Sequence, residues 1–380
     1  MFININEITE KDFSGFCDIP VIDCHIHLYS VDEIFRLAYN ENVYGIDKMN
    51  VLALNSYQEN AMTNNLLALL FKRLYPGRVY AFASLQYPLY GAPSDGEEFL
   101  RQAKKYIELG FDGMKMMEGK PNTRKRIGIP LDSPLYDKYF DFLQEKQIPV
   151  LYHVNDPKIY WDKALVPQSV IENNWAYLDN SFRTKEELYS EVNGILAKFP
   201  GLRIIFAHFY FLDEESIERA MAFLDKWPQV SFDLAPGWHF KSFEKDLKRW
   251  RDFFIKYQDR ILFGTDNDYG ISRELIYTMC TILETDNEVR FWDTHLHGMK
   301  LDRDALRKIY SANFLAYASS TPRKVIAESI AAECDEVAQQ AQQSPEREAI
   351  FKDLNDIRQQ LKQRWLPNLS LTPSPLSPEH

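Results

Sequence analysis

Eight short apolar runs, separated by helix-like segments, constrain this chain more than any other feature. They read "PVIDCH" (20–25), "MNVLALN" (49–55), "VYAFASL" (79–85), "FDGMKMM" (111–117), "IPVLYH" (148–153), "LRIIFAH" (202–208), "VSFDL" (230–234) and "RILFGTD" (260–266). Strands that alternate with helices pair in parallel, because each crossover returns the chain to the same end of the sheet, and both sheet faces are then covered. Eight such units across roughly 250 residues match a closed barrel. An open doubly wound sheet would be favoured by a GxGxxG loop after the first strand, and none is present. The expected fold is α/β: a (β/α)8 TIM barrel over residues 1–320 with a C-terminal helical extension.

The intervening segments carry helix signals. Ser133 followed by Pro134 is an N-cap with proline at the first helical position. Thr184 with Glu187 forms a capping-box pattern; Leu188, Val192, Ile195 and Leu196 then fall on one face, and Pro200-Gly201 ends the helix. Asp213 is a candidate cap for the helix that stops before Pro228. The connection from Val154 to Arg183 is long and rich in aromatics, as expected of a lid or binding loop; an insertion packed outside the barrel is the alternative. "DRDALRKIYSANFLAYA" reads as the closing helix. Residues 321–365 read as a helical hairpin broken at Ser344-Pro345, whose seam of Ile350, Leu354, Ile357 and Leu361 packs on the barrel or on a second subunit. Residues 366–380 hold four prolines and are expected to be disordered.

A formal charge of −11 argues against nucleic acid or an anionic membrane as a partner, since both select basic surfaces. The N-terminus lacks a basic stretch followed by an apolar one, so no secretory signal is expected. No run approaches the ~18 apolar residues of a membrane span. Cys17, Cys24, Cys280 and Cys334 are scattered without CxxC spacing, as expected of reduced thiols in a cytoplasmic protein.

The histidines carry the chemistry. In "VIDCHIHL", strict alternation puts Asp23, His25 and His27 on one side of the strand and Cys24 and Ile26 on the other. Two imidazoles at the C-terminal mouth of a barrel suit one metal ion, with Asp23 orienting His25 or supporting the ion from behind. A lone HxH is a weak signal, and a second one, His295 and His297, reads as an ordinary surface or loop feature. The first gains force because His153, His208 and Asp266 close three other strands, and in a parallel barrel those ends meet on one face.

HxH after the first strand, His after the fifth and sixth and Asp after the eighth resemble the amidohydrolase superfamily. "VIDCHIHL", "IIFAHF", "ILFGTD" and "IYSANFLAYA" are most similar to its amidohydrolase-related branch, which includes enzymes of the aminocarboxymuconate-semialdehyde decarboxylase type. The resemblance covers about residues 18–320. It implies that His25, His27, His153 and Asp266 hold a divalent ion, Zn²⁺ first and Mn²⁺ or Fe²⁺ next, with a second ion open. It implies that His208 lies behind the ligands or at a second ion and polarises the substrate, and that Asp266 is also the proton-transfer base. Three functions follow: a hydrolase in which metal-activated water attacks a small carbonyl substrate, a non-oxidative decarboxylase of a small unsaturated or aromatic acid, and a non-catalytic barrel that assembles through its helical end.

Lys115 lies near the position where some superfamily members carry a carboxylated, metal-bridging lysine. It has three readings: a ligand for a substrate carboxylate, that bridge, or a structural residue. The basic stretch after it contains Lys120, Arg124, Lys125 and Arg126, and Arg124 is expected to help bind substrate. Glu118 suits a surface ion pair equally well. His239, after the seventh strand, is expected at the mouth of the site or as a loop histidine. Trp161 and Trp175 are expected to wall the pocket or to anchor their loop. The expected partner is a small molecule, with a carboxylate among the candidates; a homo-oligomer through the C-terminal helices is the other expectation.

Overall fold

The computed structural model describes residues 2–3, 13, 15–55, 62–87, 95–212, 216–237, 239–268 and 272–362. Asp213 and the tail 366–380 lie outside them. Eight strands follow in chain order, all parallel: β1 (Val21–Ile26), β2 (Ile46–Leu52), β3 (Val79–Ser84), β4 (Gly113–Gly119), β5 (Val150–Val154), β6 (Ile204–Phe206), β7 (Val230–Asp233) and β8 (Ile261–Leu262). Every apolar run expected to be a strand is one.

The chain beyond β8 closes the cylinder. Cys24 N donates to Phe263 O (3.0 Å), Asp266 N to His25 O (2.7 Å) and His27 N to Asn267 O (2.8 Å). Beneath this seam Ile22, Cys24, Leu52, Tyr80, Phe82, Leu151, Ile205 and Leu262 fill the barrel interior. Its lower end is stopped by Phe314, from the closing helix Asn313–Ala318, whose ring meets Tyr80 edge-on at 5.0 Å. A π-helical turn, Lys308–Ala312, precedes that helix. Ile309 O in that turn accepts from Phe263 N (2.9 Å), and Asn313 Nδ2 donates to Ile261 O (2.7 Å). The closing helix is thus stitched to the strand that completes the barrel.

Strict alternation fails in β1. Asp23 pairs with Met49 and Ile26 with Val51, so three steps on β1 oppose two on β2. Such a bulge re-aims side chains beside functional sites. It explains why Cys24 packs inside the barrel with Ile22 although His25, next in sequence, reaches His27 and Asp266. The capping signals hold: Ser133 Oγ accepts from Leu135 N (3.3 Å), and Thr184 and Glu187 form both halves of the box. Ser216 occupies the N-cap position of helix Ile217–Lys226 without a side-chain cap bond.

After β8 come helix Ser272–Glu284 and a hairpin of β9 (Glu288–Phe291) and β10 (Thr294–His297), with Phe2–Ile3 parallel to β9. The second HxH therefore lies on a strand, not in a loop. Helices Ala327–Gln340 and Arg347–Lys362 form the expected hairpin. They pack on helix Asn64–Leu74, where Ile350, Leu354 and Ile357 are buried within the same chain. Thr63 Oγ1 donates to Asp353 Oδ2 (2.8 Å), and Lys105 pairs with Glu333 (2.7 Å). No described helix is long and apolar enough to cross a membrane.

Truncating a buried phenyl ring that cannot be replaced by collapse costs about 3–5 kcal/mol. Phe314→Ala is expected to lower unfolding stability by about that amount, and Thr184→Ala by about 1 kcal/mol through the lost cap; urea denaturation measures both.

Candidate metal centre

The closing hydrogen bonds put His25, His27 and Asp266 side by side. His25 Nε2 and His27 Nε2 are 3.1 Å apart, and Asp266 Oδ1 is 3.2 and 3.0 Å from them. Each Nδ1 is committed as a donor: His25 to Asp233 Oδ2 (2.8 Å), His27 to Leu52 O (3.1 Å). Both acceptors lack protons of their own, so in the neutral imidazoles both Nε2 atoms turn lone pairs inward. Two lone pairs and a carboxylate oxygen converging in a buried place repel one another unless a cation joins them. Ligands each ~2.1 Å from one ion, at angles near 90–110°, lie about 3.0–3.4 Å apart. The spacing fits a divalent ion held by these three residues.

Local backbone sets this up. Asp266 sits at φ 56°, a left-handed turn that aspartate tolerates better than most residues. Asp23 does not touch an imidazole. Its Oδ1 accepts from His25 N (3.1 Å) and Thr265 N (3.0 Å), and its Oδ2 from Thr265 Oγ1 (2.5 Å), so it clamps β1 to the closing segment. Burial pushes its carboxyl up to about 7. The carboxylate that orients His25 is Asp233, at the end of β7, which the sequence reading passed over. It also accepts from His208 N (2.8 Å) and Ala235 N (3.1 Å). Gly264 leaves room for this pair: a Cβ there would lie 3.1 Å from His25 Cβ and 3.5 Å from Asp233 Cβ.

His208 follows β6 in a left-handed stretch, with φ of 56, 58, 59 and 50° from His208 to Phe211. Each such residue costs about 1–2 kcal/mol. Asp233 holds one end of the stretch; Tyr189 Oη, donating to Tyr210 O (3.0 Å), holds the other. His208 Nδ1 donates to Pro236 O (2.9 Å), leaving Nε2 3.9 Å from Asp266 Oδ2. His153 stands edge-on to His208, ring centroids 4.7 Å apart, with its Nε2 3.4 Å from Asp156 Oδ1. It is therefore outside the group of three whose ligand atoms converge; Asp156 is the partner that sequence reading missed. Burial pushes His208 down to about 3 and His153 to about 4. Both rings are neutral at physiological pH, the form that binds metals and accepts protons. Burial opposes ionisation of Asp266, but the His25, His27 and His208 imidazoles outweigh it and hold its carboxyl well below the usual range.

Above the trio opens a cavity of about 1340 Å³. Four expected substrate contacts are not on its wall. Lys115 is fully buried below the trio, its Nζ 3.4 Å from His25 Nε2, and burial pushes it down to about 8. It touches the His25 imidazole rather than the cavity. Arg124 is buried in a two-point pair with Glu191 (3.1 and 3.0 Å). Trp161 donates to Arg183 O (3.1 Å) and packs on Tyr177, anchoring its loop. His239 is buried among Phe209, Phe240 and Phe243. Glu118 is buried too, accepting from Asn55 Nδ2 (3.0 Å) and Tyr87 Oη (2.7 Å), so it is not a surface ion pair. The wall does receive Lys120, Lys125 and Arg126 from the basic stretch, and Trp175 and Phe182 from the long loop. That loop is thus part of the cavity.

Residues 22–313 match the amidohydrolase family model. No curated protein matches the chain. Among solved structures, an uncharacterized TIM-barrel protein, Bb4693 from Bordetella bronchiseptica, superposes with a TM-score of 0.51 at 13% identity, over 80% of this chain and 99% of that one. A 5-carboxyvanillate decarboxylase from Novosphingobium aromaticivorans, complexed with manganese and 4-hydroxy-3-methoxy-5-nitrobenzoic acid, does so at 0.51 and 15% identity, over 79% and 96%. IDCase from Metarhizium anisopliae gives 0.50 and 14%, over 80% and 98%. These likenesses establish the shared barrel.

Partners behind metal-ligating histidines typically matter 10–100-fold for affinity. Asp233→Asn is expected to weaken metal binding by about that factor while the far-ultraviolet circular dichroism stays unchanged; titration against a competing chelator measures it.

Proposed function

The chain belongs to the amidohydrolase family, whose members are metal-dependent enzymes, and on that premise we propose that it is a decarboxylase of a small unsaturated or aromatic carboxylic acid. One observation carries the reading: on an acidic protein, the cavity over the metal trio gathers Lys120, Lys125 and Arg126 beside Tyr29, Trp175 and Phe182. Cations beside aromatic faces suit a flat anion, which pairs with the charges and stacks on the rings. Lys120 is held by Asp156 (2.9 Å) and Lys125 lies over the Phe182 ring (3.9 Å to its centroid). Fold kinship with a decarboxylase of an aromatic acid is in keeping with this.

A divalent ion at His25, His27 and Asp266 supplies Lewis-acid polarisation of a substrate oxygen. Zn²⁺ is our first assignment, with Mn²⁺ and Fe²⁺ next, because neutral imidazole and carboxylate suit all three. The wall cations orient the carboxylate. The bond from carbon to the carboxyl group breaks, CO₂ leaves, and the electron pair stays on carbon until a proton arrives. That proton comes from solvent: Asp266 Oδ2, which faces the cavity and His208 Nε2, takes it up and passes it to the carbon, and Asp266 is left ionised as before. His153, whose Nε2 lies 3.4 Å from Asp156 Oδ1, would be a further residue to hold that ion.

Hydrolysis is the second reading. Asp266 favours it, because one oxygen faces the imidazoles and the other the cavity, the arrangement of a base that takes a proton from water and passes it to a leaving group. The enzyme suits a reducing, cytoplasmic setting, as all four thiols are free.

Chelation is expected to abolish activity and Zn²⁺ or Mn²⁺ to restore it. With aromatic and unsaturated acids, CO₂ release without ¹⁸O from water in the product supports decarboxylation; ¹⁸O incorporation without CO₂ establishes hydrolysis instead. Asp266→Asn is expected to lower kcat by about 10²–10⁴-fold. Lys125→Met is expected to raise KM for the acid with little change in kcat.

A further inference from the structure

The β9–β10 hairpin carries a second convergence of imidazole and carboxylate, separate from the barrel centre. Antiparallel pairing sets Glu288 opposite His297 and Arg290 opposite His295, so these side chains share one face. Glu288 reaches both imidazoles: its Oε2 is 3.1 Å from His295 Nε2 and its Oε1 3.7 Å from His297 Nδ1. The two rings lie 5.3 Å apart at 34°. One ligand atom from each of the three residues falls within 4.8 Å of the others. All three side chains are about two-fifths exposed, at 42, 39 and 45%, so an ion enters directly from solvent. Glu244 Oε1, accepting from His295 N (3.1 Å), adds negative charge beside them. Arg290 shares the face and is exposed.

We propose that Glu288, His295 and His297 form a second, solvent-facing site for a Zn²⁺-class ion. Two imidazoles and one carboxylate are a zinc-type ligand set, and water completes the tetrahedron. Mg²⁺ and Ca²⁺, which require oxygen ligands, do not compete. The strands hold both imidazoles and the carboxylate in register before the ion arrives, so little ordering remains for binding to impose. Occupation ties β9 to β10. The hairpin's turn, Trp292 and Asp293, lines the mouth of the cavity, and Asp293 pairs with Lys241 (2.8 Å). The ion therefore fixes one edge of that mouth.

The test uses the full-length protein with its barrel centre already loaded, titrated with Zn²⁺ against a chromophoric chelator. Wild type is expected to take one further equivalent, which raises its Tm. His297→Ala and Glu288→Gln are expected to bind that equivalent at least about tenfold more weakly and to lose the Tm rise, at unchanged turnover. Absence of a further equivalent in wild type overturns the proposal, and so does one that His297→Ala leaves intact. A further equivalent removed by Lys115→Met but not by His297→Ala belongs to the barrel centre and overturns it equally.

Discussion

Three backbone hydrogen bonds between β1 and the segment after β8 support both the fold and the site. They complete the cylinder, and they also bring His25, His27 and Asp266 within 3.2 Å of one another although the sequence separates them by some 240 residues. Asp23 reinforces the same seam by accepting from both β1 and the segment after β8. The convergence of these three side chains is therefore a by-product of closure: whatever loosens the seam also moves them apart.

Around that seam, buried carboxylates face imidazoles and the chain compensates each charge locally. Asp233 serves His25 through one oxygen and the His208 backbone through the other. Asp156 stands by His153 and Lys120. Burial alone would raise Asp156, but Lys120 and the His153 contact outweigh it and hold it well below the usual carboxylate range. Low dielectric strengthens each such pair and penalises each missing partner. That is why the left-handed turn from His208 to Phe211 persists: its unfavourable backbone is pinned by side-chain and backbone partners on both sides.

The strands were legible because parallel strands covered on both faces read as continuous apolar runs. The histidines and Asp266 were legible because the sites of such barrels lie at strand ends. What escaped depended on phase and tertiary partner. Alternation in β1 is broken by a bulge that no residue type announces, so Asp23 was given the role that Asp233 holds. Asp233 closed its own strand as visibly as Asp266 does, and was findable by the same rule. Among the basic residues after β4, the helical rotation of about 100° per residue turns Arg124 to Glu191 and its neighbours Lys125 and Arg126 to the cavity; only the packed structure sets which cation faces where. Trp161 and Trp175 share a loop, and which of them anchors it and which lines the cavity is again settled by contacts distant in sequence.

The ring of Phe314 has a consequence for traffic. With the far end of the cylinder stoppered by it and by the layer of Tyr80 and Phe82, nothing can pass through the axis. Among the described residues, exchange with the cavity takes place at the end that carries His25, His27 and Asp266. On the proposed function, acid and product would share that doorway, and a product slow to leave would hold off the next molecule of substrate.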